Sequence, residues 1–425
     1  MMPSYALYAN IILSALCFIV FINNIIFYAY NEKINYYSAW LVLLISVYFM
    51  YRCRKNILLF IMSFFIFYSN YSISVGIYVS PNRPSVLYSQ ITDVATYGIG
   101  ITLILLFMWL LVMFMPQNIK TTNREYNPNI LEKNINILII SFLCIVLSFI
   151  FVYGYSRTSL IRGSSSPIYE YSVILFILGF HYSGNNKYLQ AIMKILLVLF
   201  ALQSFMNGTR VEGFIFIISF ICYFYAHKIT YLKLIPILMI GIFFMIYIGV
   251  FRANATLSLE NIAFVLSTIK DSKFVFDTAT WAYFPSLCMI EVRNIIPFSE
   301  SLRLFKQFVL SIFLGGSVAD SNPTDFVRQY YWHANGGWSQ MFFYFWFGWI
   351  GMVPLLSLVI FYMKAIINRF PENSKGSYRQ LLAIYIVSTV PRWYIYAPLP
   401  LLRGAMLFSI AYLGLYLVNK IKIRK

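Results

Sequence analysis

Charge is scarce in this chain. Asp, Glu, Lys and Arg make up 11% of its 425 residues, where soluble globular domains carry about 25%. So few polar groups could not coat a soluble core of this length. Only three histidines are present, and the five cysteines (Cys17, Cys53, Cys144, Cys222 and Cys288) are scattered, with no CxxC pair and no metal-ligand spacing. That pattern suggests neither a disulfide framework nor a zinc site. The chain also lacks a GxxxxGK[ST] phosphate loop, a GxGxxG fingerprint, an HExxH helix and a GxSxG elbow. Their absence removes an obvious nucleotide-driven pump, metalloprotease or serine hydrolase, and no metal or cofactor is expected.

What is abundant is apolar length. The sequence is 60% hydrophobic and 20% aromatic, and apolar runs of roughly 20 residues, enough to cross about 30 Å of hydrocarbon, recur from end to end. Because they recur, the first reads as a membrane span and not as a cleaved leader. Breaks at charged, Gly and Pro positions place about twelve spans, near 8–30, 36–51, 57–79, 97–115, 135–154, 168–181, 188–205, 211–227, 232–251, 341–363, 381–397 and 404–420. The expected fold is an all-α polytopic membrane protein. Residues 1–251 hold the first nine helices, 252–340 one long periplasmic loop, and 341–425 the last three helices.

The formal charge of +18 would hint at nucleic acid in a soluble protein; in a membrane protein it first reports sidedness. With the amino terminus inside, the inner segments carry most of the lysines, and their only acids are Glu125, Glu132 and Glu372. The positive-inside rule then puts both termini in the cytoplasm, with no nucleic-acid partner. His181 and His227 fall on that side and read as interfacial residues. The outer segments prefer arginine: Arg83, Arg157, Arg162, Arg210, Arg252, Arg293, Arg303, Arg328, Arg392 and Arg403. A guanidinium fork suits bidentate binding of phosphate or carboxylate, whereas lysine suffices as a topological anchor. Any one of these arginines could equally snorkel to headgroups or pair with a loop acid; together they favour an anionic ligand.

Three outer segments stand out. "YSRTSLIRGSSSP" (155–167) sets Arg157 and Arg162 among hydroxyls. "NGTRVEG" (207–213) is a tight turn with Arg210 at the membrane boundary, either a functional residue or the partner of Glu212. The 252–340 segment contains "LFKQFVLSIFLGG" (304–316), apolar but too short to span, so surface-lying or re-entrant. It also contains Asp320 and Asp325, and it ends in "RQYYWHANGGWSQ", with His333 behind Tyr330, Tyr331 and Trp332 and ahead of Trp338. These aromatics could stack on sugars or form an ordinary interfacial belt.

The "NGTR" turn between two spans, the long outer loop and the "WHANGGWSQMFFYFWFGWIGMV" run into the next helix resemble the Wzy-type O-antigen polymerases, the oligosaccharide repeat-unit polymerases. Topological likeness covers nearly the whole chain, though the motifs are short. The resemblance implies a C-type, metal-independent glycosyltransferase in the bacterial inner membrane. Its active site would face the periplasm, its substrate would be undecaprenyl-pyrophosphate-linked oligosaccharide, and a flippase and a chain-length regulator of the same pathway would be partners. On that reading Arg210, Arg157, Arg162, Arg252, Arg328 and Arg403 stabilise the pyrophosphate leaving group. His333 serves as base or orienting group, with Asp320 and Asp325 as rivals, and Tyr331, Trp332 and Trp338 contact sugar. An O-antigen ligase, using the same donor on lipid A-core, and a lipid-linked oligosaccharide flippase are the alternatives; transporters favour short loops and internal repeats, and no repeat is evident.

Overall fold

A computed structural model describes residues 4–26, 28, 30–80, 88–116, 119, 134–157, 163–254, 259–275, 277–315, 318–333, 336–367 and 374–420. Arg83 and Arg162 lie outside the described residues, as do the inner connections around Arg124 and Arg369. In chain order the helices are α1 (Ser4–Phe21), α2 (Glu32–Cys53), α3 (Ile57–Ile73, carried on by a π turn, Ser74–Val79), α4 (Val94–Phe114) and α5 (Asn134–Tyr153). A two-stranded ribbon follows, β1 (Tyr155–Arg157) and β2 (Gly163–Ser165), antiparallel with Tyr155 opposite Ser165. Then come α6 (Pro167–Ser183), α7 (Lys187–Met206), α8 (Arg210–Phe224), α9 (Tyr231–Asn254), α10 (Leu259–Ser272), α11 (Asp277–Ile295), α12 (Phe298–Leu314), α13 (Pro323–Val327) and α14 (Ser339–Phe347). A 3-10 turn (Gly348–Gly351) leads into α15 (Met352–Ile367), followed by α16 (Ser374–Ser388), α17 (Val390–Ile395), a π turn (Pro400–Gly404) and α18 (Ala405–Lys420).

Eight helical stretches among the described residues are long and apolar enough to cross a membrane: 32–53, 57–79, 94–114, 136–153, 187–206, 231–249, 339–367 and 400–420. The chain is therefore almost entirely helical and carries multi-pass membrane character. Three of the other expected spans coincide with shorter helices: α6 has 17 residues, α8 has 15 and α16 has 15. At about 1.5 Å per residue these reach only about 22–26 Å, less than the usual hydrocarbon thickness. A helix this short leaves its end residues inside the slab unless neighbours cover them.

Packing separates a centre from a rim. The 57–79 stretch is 78% buried within the protein, the 231–249 stretch only 28%. Lipid is as apolar as leucine, so close packing and interhelical hydrogen bonds hold the centre together. Asn24 donates to Thr102 Oγ1 at 2.8 Å, Asn70 to Ser46 Oγ at 2.9 Å, and Tyr394 to Asn70 Oδ1 at 2.8 Å. Bonds of this kind average about 0.6 kcal/mol in membrane bundles.

The segment expected as one long loop, 252–340, is mostly helical in its described residues. α11 lies in the interior: Tyr283, Phe284, Leu287, Cys288 and Met289 are fully buried, and the helix packs against α3, α4 and α14. Its low mean hydropathy disguised it, because Glu291 and Arg293 interrupt the apolar run. Thr96 Oγ1 on α4 donates to Glu291 at 2.6 Å, so the bundle itself satisfies the charge that made the segment read as a loop. α12, covering the run expected to lie on the surface, buries Leu304 and Phe308 and exposes Leu310, Phe313 and Leu314. Phe305 and Phe308 pack on Trp346 of α14.

Candidate functional site

The bundle end that carries the β ribbon collects charge from three short helices. Ser166 caps α6 by accepting from Tyr169 N at 3.3 Å, and Pro167 occupies the first turn, where its fixed φ and missing N–H cost nothing. Glu170 therefore sits in the opening turn of α6. The tight turn at Asn207–Gly208 starts α8 with Glu212 likewise in its opening turn. Carboxylates are favoured there by the helix dipole, and cations at the opposite terminus, each by about 0.3–1 kcal/mol. Arg392, in the last turn of α17, meets both.

A single nitrogen makes both ion pairs. Arg392 Nη2 donates to Glu170 Oε1 at 2.7 Å and to Glu212 Oε1. Ser165 Oγ, in β2, donates to Glu212 Oε1 at 3.0 Å and to Glu170 Oε1 at 3.5 Å. The Glu212 side chain is 5% exposed, that of Arg392 18% and that of Glu170 30%, so Glu170 is the member that faces outward. Arg392 Nε is buried with no hydrogen-bond partner among the described residues, and the guanidinium stands 5.0 Å from the Tyr396 ring. With both carboxylates ionised the trio carries a net negative charge.

A second cation lies close by. Arg403, in the π turn, places its guanidinium 5.6 Å from the Tyr171 ring and against Gly315, at the end of α12. The ribbon supplies a third layer: Tyr155 shares a hydrogen bond with Thr209 and donates to Ser204 Oγ at 3.3 Å. Burial, reinforced by the Glu212 charge, pushes the Tyr155 phenol up to about 12, so it is a neutral hydrogen-bonding group at any physiological pH. On the far side Tyr396 rests against Gly336. Gly336 has φ +112, and a Cβ there would stand 3.0 Å from the Tyr396 ring, so both the backbone conformation and the close approach call for glycine. Gly336 thereby lies against the aromatic ring that neighbours Arg392.

The remaining sequence candidates are spread around this cluster. Arg210 and Glu212 are two residues apart on a helix and so point in nearly opposite directions. Arg210 turns to α9, donating to Met245 O at 3.2 Å with its guanidinium against Gly249. The Arg210–Glu212 salt bridge weighed from sequence is not formed, because Glu212 binds Arg392 and Ser165. Arg252 lies about one turn beyond Gly249 on α9 and Arg157 lies in β1; their side chains are outside the described residues. Arg328 is exposed and pairs with Asp325 at 3.2 Å, and Asp320 pairs with Arg303 at 3.4 Å, which puts both rival bases on the surface.

His333 is buried. Tyr331 is partly buried, and Trp332 is exposed, its carbonyl accepting from Gln90 at 3.2 Å. Trp338 does not face solvent: it is fully buried between Tyr283 and Tyr394, with its backbone N–H donating to Ser286 Oγ at 2.8 Å.

Sequence reasoning counted Arg392 among the outer arginines without singling it out, and did not select Glu170 at all. The usable signal was depth. Acids are only 14 of 425 residues, and one placed inside an apolar run is costly enough to demand a partner.

No family model, curated protein or solved structure matches the chain.

Proposed function

We propose that this chain extends a lipid-linked glycan: it moves a growing oligosaccharide from its undecaprenyl-pyrophosphate carrier onto a second lipid-linked repeat unit, as the O-antigen polymerases do. The observation that carries the reading is the gathering of Arg392, Arg403, Glu170 and Glu212 where short helices of a membrane bundle end. Sugar transfer from a lipid pyrophosphate needs cations for the leaving group and a proton acceptor for the attacking hydroxyl, both at the membrane boundary where lipid-borne and sugar-borne parts of the substrate meet.

In this reading about twelve helices cross the inner membrane, with α1 and the short α6, α8 and α16 completing the set, both termini in the cytoplasm and the ribbon end in the periplasm. Arg403 takes the departing pyrophosphate. Arg210 stands on the neighbouring flank of α8, against α9, and the sequence of the outer segments adds Arg157, Arg162 and Arg252 as further candidate cations. Fixed guanidinium groups in a water-poor site stabilise developing charge more than they would in bulk water. Exposed Trp332 and partly buried Tyr331 offer ring faces to sugar.

The deciding experiment reconstitutes the full chain in liposomes with purified undecaprenyl-pyrophosphate-linked repeat units, without nucleotide or added metal. Longer lipid-linked glycan is expected. Transfer onto lipid A-core instead would reassign the chain as a ligase, and vesicle-to-vesicle reorientation without new bonds would make it a flippase. Arg403→Lys should lower extension about 10²-fold or more, because a point charge cannot replace the fork.

A further inference from the structure

We propose that Glu170 is the proton acceptor of the glycosyl transfer, an assignment that rests on reading the chain as a glycan polymerase. Both described hydrogen bonds to its carboxylate fall on Oε1, from Arg392 Nη2 at 2.7 Å and Ser165 Oγ at 3.5 Å. Oε2 accepts from no described residue and belongs to the most exposed side chain of the trio. One oxygen is fixed and the other is open to a substrate hydroxyl. Glu212 plays a different part: its side chain is 5% exposed, and it clamps the guanidinium that orients Glu170. The arrangement is a base held by a group that is itself held, with Glu212 and Arg392 as positioning residues.

The other candidates do not offer this geometry. Asp320 and Asp325 are each paired with an arginine of their own on the surface, and the His333 side chain is buried, so a substrate hydroxyl reaches it only after the segment moves. Charge divides the site in the same sense. No described ion pair joins Arg403 to either carboxylate; it lies against Tyr171 and Gly315, where a pyrophosphate is attracted. With both carboxylates ionised the Glu170–Glu212–Arg392 trio is net negative, repels pyrophosphate and accommodates a neutral hydroxyl.

The step balances. The O–H bond of the acceptor sugar breaks and its proton passes to Glu170 Oε2. The hydroxyl oxygen bonds to the donor's anomeric carbon, and the bond from that carbon to the pyrophosphate oxygen breaks, its electron pair leaving with the lipid pyrophosphate. Glu170 then returns the proton to water through its exposed side.

The test uses the full chain in liposomes with undecaprenyl-pyrophosphate-linked oligosaccharide, measuring extension rate and donor retention separately for Glu170→Gln and Glu170→Asp. Loss of a general base costs about 10²–10⁴-fold in rate, so Glu170→Gln should lose extension by that factor while donor retention changes by less than about threefold. Glu170→Asp, which keeps the base but shortens its reach, should retain more activity than Gln. A purely structural role predicts the reverse order, since Gln preserves length and the acceptor for Arg392. Extension by Glu170→Gln within about threefold of the parent, or Gln outperforming Asp, overturns the assignment and leaves the polymerase reading standing. Should the Gln protein fail to insert, Glu170→Ala with added formate replaces it: recovery of extension supports the assignment and no recovery overturns it. A parent chain that extends nothing overturns the polymerase reading and this assignment with it.

Discussion

Arg303 on α12 and Arg392 on α17 each hold two carboxylates, and their surroundings separate them. Arg303 binds Glu300 at 2.6 Å, one turn away on its own helix, and Asp320 at 3.4 Å. Its side chain is 43% exposed. Arg392 joins Glu170 and Glu212 across 222 and 180 residues of sequence, with little exposure. Exposed pairs contribute about 0–1 kcal/mol because water and salt screen them. Buried ones pay a large desolvation cost on all members, so the penalty for removing one partner is high. The same chemistry is close to neutral in one place and obligatory in the other. A cluster that is costly to bury and contributes little net stability is better explained by what it does.

The largest expected effect follows from breaking the buried trio. Arg392→Ala leaves Glu212 charged and enclosed, and should destabilise the protein by about 3–5 kcal/mol, whereas Arg303→Ala should change it by no more than about 1 kcal/mol. Thermal unfolding of both variants in one detergent measures the difference, and equal shifts would erase the contrast. Replacing the whole trio sharpens it: Arg392→Met with Glu170→Leu and Glu212→Leu should fold as well as the parent or up to about 4 kcal/mol better, yet extend no glycan. If that triple variant is still active, the trio has no part in the reaction.

This contrast also bears on what sequence could reveal. The helical membrane character follows from apolar run length, a local property. The pairing of Arg392 with Glu170 and Glu212 depends on how α6, α8 and α17 converge, which no periodicity encodes. Arg303 with Glu300, at i, i+3 on one helix, was accessible to local rules. α11 shows the same limit from the other side: Glu291 and Arg293 made it look like a loop because hydropathy scores a residue against lipid. Inside the bundle Glu291 is scored against Thr96. Arg210 was chosen for its expected depth at the membrane boundary, whereas its direction is set by its place on the helix turn, toward Met245 and away from Glu212.

A smaller effect lies one layer out from the trio. Tyr155→Phe removes the hydroxyl that ties the ribbon to Thr209 and Ser204 while keeping the ring against Tyr169. A hydrogen bond of this kind contributes about 0.5–1.5 kcal/mol net, and the melting temperature should fall accordingly. A loss as large as that of Arg392→Ala would mean that the ribbon, and not the trio, holds these helix ends together.

The smallest effect should come from the exposed triad, and its dependence on pH and salt identifies it. The Arg303 hydrogen bond lowers the Glu300 carboxyl below its usual range, and the same contact raises the Arg303 guanidinium. A carboxyl whose pKa is depressed on folding adds stability that is complete above its unfolded value, about 4.3, and that disappears as pH falls through the folded value. The gap between parent and Arg303→Ala should therefore be present at neutral pH, shrink below about pH 4, and close at about 1 M salt, where the Debye length is about 3 Å. The trio should keep most of its penalty at that salt, because Glu212 and Arg392 are shielded from solvent. An Arg303→Ala gap that survives both acid and salt would place its worth in the packing of its aliphatic stem, and the two arginines would then differ in contact more than in charge.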